Sequence, residues 1–140
     1  MSDFTHLVEH LADTDTVTIV TTRPNGQEIA TPIWSTAVDG VAYVRAAYGP
    51  RTSWYLRATT GRPVAFTTTD GRRAEEDPVA ALADPRVAVA VTPVAADAPE
   101  QDAVDAAFRA KYAHSPYGAS ILTPAVRAVT LRVAPLPSGA

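Results

Sequence analysis

The chain has 140 residues, 46% of them hydrophobic and 19% charged, with a formal net charge of -3. Such a length and composition predict one globular domain over residues 1–140 with a core of its own, and the charge gives no bulk reason to bind nucleic acid or an anionic membrane. Cysteine is absent, which excludes disulfides, thiolate nucleophiles and thiolate metal sites.

No apolar run approaches the roughly 20 residues that span a bilayer. Asp3, His6 and Glu9 stand where a signal peptide would carry basic residues and then an apolar core, so a cytoplasmic location is expected. Phe4, Leu7, Val8 and Leu11 keep helical spacing and predict an amphipathic helix over about residues 3–12, plugging one end of a sheet. His6 and His10 lie four apart on it, but the histidines are too scattered for a metal cage, and no metal is expected.

Thr16 to Thr22 is rich in β-branched residues and predicts a strand; Pro24-Asn25-Gly26 turns it into a partner running from Gln27 to Val38. If Asp39-Gly40 is a two-residue turn, Val38 faces Val41, Thr36 faces Tyr43 and Trp34 faces Arg45, all on one side of the ribbon. Pro32 cannot donate to a ladder, which places it at an edge, a bulge or an opening where a flat ligand reaches backbone groups.

Gly49-Pro50 predicts a helix with Pro at its first position, running through Trp54 and Leu56 to a stop at Gly61. Arg51, Thr52 and Ser53 then fill its first turn, where free N–H groups favour an anion; alternatively Arg51 is solvated and a hydroxyl caps the helix. Arg45 leads into the same corner, and Arg57 lies nearly two turns on. Trp34 and Trp54, the two tryptophans, are either core or dimer-interface residues or platforms for a planar ring.

Pro63 to Thr69 predicts another strand and Asp70-Gly71 a turn. Residues 72–84 carry little pattern beyond a short helix at Val79 to Ala83. Arg86 to Val94 reads as a strand buried on both faces. Asp97 and Glu100 have capping-box spacing before a helix from Ala98 to Tyr112, marked by Val104, Phe108 and Tyr112. Ala125 to Val133 predicts the last strand, and residues 135–140 a mobile tail. In the loop after that helix, His114 and Tyr117 are candidates for acid and base; the structural alternative has Lys111 and His114 complementing the helix dipole. No Ser-His-Asp order, carboxylate pair or Gly-rich phosphate loop is present. Short strands joined by hairpins, with helices inserted, predict an antiparallel barrel closing on itself or on a second subunit.

Thr31-Pro32-Ile33-Trp34, Val38-Asp39-Gly40 with Tyr43-Val44-Arg45, Gly49-Pro50-Arg51 through Trp54-Tyr55, Val104 through Tyr112, and Val129-Thr130-Leu131-Arg132 come in this order. Together they resemble the split-barrel flavin-binding proteins related to pyridoxamine phosphate oxidase, in a branch near the deazaflavin-dependent nitroreductases. The resemblance implies a mainly β fold, an antiparallel split β-barrel of the FMN-binding type with inserted helices, usually a homodimer. It implies FMN or a deazaflavin lying against Pro32, Ile33 and Trp34, with its phosphate near Arg45, Arg51 and Ser53. Arg45, Arg51 and Trp54 match positions typical of the branch, whereas Thr52, Ser53 and Arg57 are placed by proximity. Residues 72–94 would line or lid the pocket. The expected activity is hydride transfer between the cofactor and a small organic substrate, the cofactor carrying the chemistry. Two rivals keep the pocket: a non-redox cyclase or isomerase using His114 or Tyr117, and a ligand-binding module without turnover.

Overall fold

The computed structural model describes residues 3–137. Residues 138–140 of the expected tail lie outside it. Six strands, β1 (Thr16–Thr22), β2 (Glu28–Val38), β3 (Val41–Arg45), β4 (Val64–Thr67), β5 (Arg86–Val94) and β6 (Thr130–Pro135), close into a barrel of order β1-β2-β3-β6-β5-β4. Every pairing is antiparallel. This is the mainly β barrel with inserted helices that the sequence predicts.

Asp39 and Gly40 both take positive φ, 50° and 80°, the conformation of a two-residue hairpin turn whose twist matches its strands. The register is the expected one, Val38 opposite Val41 and Thr36 opposite Tyr43. Period two then divides β2 and β3 between two cores. Val17, Ile19, Ile33, Val44, Phe66 and Leu131 fill the barrel interior, and helix α1 (Asp3–Asp13) adds Leu7, Val8 and Leu11 as a plug. Helix α2 (Ser53–Ala58) adds Trp54 and Ala58 to the same interior. The outward set of β2 and β3 instead meets helix α5 (Gln101–Lys111), where Val104, Phe108 and Tyr112 pack on Tyr43 with Trp34, Val38 and Val41 beside them.

Several expectations are corrected. Helix α2 starts at Ser53 rather than Pro50, because Gly49 at φ 90° opens a turn in which Thr52 N–H and Oγ1 both bond the Gly49 carbonyl. Helix α5 starts at Gln101 without a side-chain cap. Glu100 is engaged elsewhere, accepting from the Tyr43 hydroxyl at 2.6 Å and facing Arg132 at 3.3 Å. Its carboxylate and the surrounding burial push the Tyr43 phenol up to about 12, burial being the larger cause. Strand β5 is not buried on both faces: Ala88 and Thr92 are exposed on its outer side. The last strand begins at Thr130, since Thr123 caps a short helix α6 (Pro124–Arg127) with Pro at its first turn.

Residues 72–82 form helices α3 (Arg72–Glu76) and α4 (Pro78–Ala81), which clamp the outside of β2 through Ala74 and Ala81 on Ala30. Gly71 holds this clamp close, donating to the Thr16 carbonyl at 2.8 Å. A Cβ there would stand 2.7 Å from the Thr16 backbone. Gly71→Ala is therefore expected to lower stability by roughly 1–3 kcal/mol, the cost of overpacking against a backbone that must shift. A thermal melt checks it; an unchanged midpoint would show that α3 and its turn are free to move away.

Candidate functional site

Strand β2 has eleven residues and β3 five. The β2–β3 ladder ends at Ser35 opposite Val44, whereas the β1–β2 ladder continues through Ile33, Pro32 and Thr31 to Glu28. The Ser35 N–H and C=O are both taken on the β1 side, by the Tyr112 hydroxyl and by Lys111. Arg45, the last residue of β3, stands opposite Trp34, so alternation turns the backbone of Pro32 toward the side beyond the end of β3. Pro32 sits where no N–H is required, at the opening its sequence position predicts.

A cleft of about 750 Å³ lies at this opening. Thr31, Pro32, Ile33 and Trp34 line it from β2, Ser53, Trp54 and Arg57 from α2, Tyr48 and Tyr117 from loops, and Ser120 from a 3-10 helix (Gly118–Leu122). Grooves of about 540, 560 and 480 Å³ elsewhere do not combine aromatic walls with a cation. Tyr48 and Tyr117, 93% and 72% exposed, form part of the rim. The stretch 72–94 contributes nothing to the lining, so it does not line or lid this cleft.

Arg45 touches the cleft but its guanidinium is committed to the protein. Nε donates to Thr130 Oγ1 at 3.0 Å, Nη1 to the Ile121 carbonyl at 3.0 Å and Nη2 to Gln101 Oε1 at 2.8 Å. Asp105 Oδ1 stands 2.6 Å from Nη2 as its ion-pair partner. The cation also lies 5.1 Å above the Phe108 ring. With that side chain fully buried, the geometry assigns Arg45 to the joint between the barrel and α5 rather than to a phosphate.

Arg51 lies in the exposed turn before α2 and outside the cleft lining. Helix α2 is only six residues long, so the expected helix-dipole site at Arg51, Thr52 and Ser53 loses its basis. Ser53 does reach the cleft. Trp54 is both core and wall, 5% exposed and lining the cleft. Trp34 stacks on Tyr112 at 4.1 Å with the rings 7° apart, which covers one indole face from the α5 side. His114 lies outside the lining, exposed, with Nε2 3.5 Å from Asp15; the structure does not bring it together with Tyr117.

Below Trp34, Lys111 and Tyr112 fasten the start of β1 to β2. Lys111 gives its protons to the carbonyls of Leu11, Thr14 and Ser35 at 2.9, 2.8 and 2.7 Å. Burial lowers its pKa to about 8, against the pull of Asp15 and Asp13. The Tyr112 hydroxyl donates to the Asp15 carbonyl at 2.6 Å and accepts from Ser35 N–H at 3.1 Å.

Arg57 is the cation the sequence placed only by proximity. Its Nε donates to Thr21 Oγ1 at 2.8 Å, and no carboxylate among the described residues pairs with it. Burial lowers its pKa, and the charge of Arg23 lowers it further. Thr31, Tyr48 and Ser120 were missed. Only Tyr48, an aromatic beside Gly49-Pro50 in a loop, carried a sequence signal.

Compared with protein families, residues 7–133 match the family described as "Uncharacterized protein conserved in bacteria (DUF2255)". The chain belongs to the DUF2255 family. No curated protein matches it. The family description names no cofactor. The closed antiparallel barrel of this DUF2255 chain is compatible with a split-barrel fold.

Proposed function

We propose that the cleft binds a planar anionic cofactor of the flavin or deazaflavin class, and that the chain is a cytoplasmic, homodimeric oxidoreductase acting on a small organic substrate. The carrying observation is the open β2 edge at Pro32 and the carboxylate-free fork of Arg57 facing one aromatic-walled cleft. These residues suit such a group: Pro32, Ile33 and Trp54 offer apolar wall, the edge offers backbone acceptors, and Arg57 with Ser53 offers donors to an anion. Arg45 has no part in holding it. When bound, the cofactor supplies the hydride chemistry. The protein orients the ring along β2, neutralises the anion and limits water. Tyr117 is the one phenol-or-imidazole candidate of the original pair that reaches the cleft. The exposed rim at Tyr48 and Tyr117 suits cover by a second copy.

An absorption spectrum of the purified protein, followed by fluorescence titration with FMN and with a deazaflavin, tests the reading. Saturable binding to either is expected. Arg57→Ala should weaken it by about ten- to a hundredfold, the loss of a charge-assisted pair, with little change in the melting midpoint. No binding by a folded protein, or binding that ignores Arg57, would overturn the proposal and favour a colourless, non-redox site at Tyr117.

A further inference from the structure

Strand β1 ends in Thr21 and Thr22, Arg23 follows directly, and the guanidinium groups of Arg57 and Arg62 are anchored on the strand's last two residues. Arg57 Nε donates to Thr21 Oγ1 at 2.8 Å, and Arg62 Nε donates to the Thr22 carbonyl at 2.8 Å. Arg23 is held through one terminal nitrogen, Nη1 to Gln27 Oε1 at 3.0 Å. Anchoring through Nε fixes Arg57 and Arg62 while leaving both terminal nitrogens of each without a protein acceptor among the described residues. Such an arrangement is preorganised for an oxyanion.

Like charges gathered at one end of a strand call for a counter-charge, and no carboxylate among the described residues pairs with them. Arg57 feels the charge of Arg23. None of the three forms an ion pair among the described residues. Glu28, directly across the ladder from Thr22, is committed to Arg86 at 2.6 Å. An acidic chain, net charge -3, thus keeps three carboxylate-free guanidiniums at one end of its barrel. Arg57 lines the cleft and Arg62 lines the groove of about 480 Å³, with the end of β1, which anchors both, between them.

We propose that Arg57, Arg23 and Arg62 form an extended oxyanion site running out of the cleft over the end of β1, taking a ligand with at least two phosphate or carboxylate groups in series. This rests on Arg57 as the cleft's cation and not on the ring chemistry of the preceding section. One oxyanion engages the Arg57 fork, and the next is held between Arg23 and Arg62. A ligand with a single phosphate uses only the first position.

Calorimetric titration of the full-length protein with inorganic phosphate and with pyrophosphate, at fixed ionic strength and with no flavin present, tests the site. Pyrophosphate is expected to bind about tenfold or more tightly than phosphate, the effect of a second charge-assisted contact. The double variant Arg23→Ala, Arg62→Ala removes two solvent-reaching side chains that each make one hydrogen bond, and should abolish that preference while phosphate binding stays. Equal binding of the two anions by the wild type, or a pyrophosphate preference that persists in the double variant, overturns the inference. Because no ring is present, failure here leaves the flavin titration to stand or fall separately.

Discussion

Arg45→Ala is expected to destabilise the protein by roughly 3–5 kcal/mol, the usual result of removing one partner from a buried ion pair. The guanidinium is fully buried and holds three separate parts of the chain: Gln101 and Asp105 on α5, the carbonyl of Ile121, and Thr130 on β6. Without it, Gln101 Oε1 keeps only the Thr130 hydroxyl, and Asp105 is left with Arg127 at 2.7 Å. The cavity beneath Phe108 adds to the loss. A loss of this size is a large share of the 5–15 kcal/mol, approximately, by which domains are stable. Urea denaturation measures it. A variant that unfolds at the wild-type midpoint yet loses cofactor would restore Arg45 to the ligand and undo its placement in the joint. Arg57→Ala is the matched contrast, with affinity falling and stability held.

Tyr112→Ala should cost a similar amount, about 3–5 kcal/mol, as for other large aromatic truncations in a core. Here the change strips the stacked ring from Trp34 and leaves the Ser35 N–H without its acceptor. Tyr112→Phe separates the two effects: the ring remains, and the loss of the hydroxyl that joins Asp15 to Ser35 should cost roughly 1–3 kcal/mol. Chemical denaturation followed by tryptophan fluorescence reads both, since opening one face of Trp34 should shift its native emission to the red in the alanine variant alone. Equal costs for the two variants would mean that the stacking contributes nothing.

The barrel was legible because its signals are local. Asp39-Gly40 requires two positive φ angles and thereby sets a register that period two carries along both strands. Pro32 likewise announced the open edge from its own chemistry. What the sequence left dark depends on distant partners. Arg45 was read as a ligand because its strand neighbours are visible, whereas Gln101 and Thr130, which consume its donors, lie 56 and 85 residues away. Helices α3 and α4 dock by single alanines, too small to make a periodic pattern. Arg57 was placed only by proximity for the opposite reason. What distinguishes it is the carboxylate it lacks, and absence of a partner has no signature in a linear chain.

Strands β2 and β3 serve two cores at once, sending Ile33 and Val44 into the barrel and Trp34 and Tyr43 toward α5. A slip of one residue in their pairing would exchange the two sets, exposing the barrel interior to α5 and forcing Trp34 inward. Neither core can then be correct while the other is misregistered, because the same two strands supply both. The Asp39-Gly40 turn, which sets this register, thus guards both cores with one pair of backbone angles.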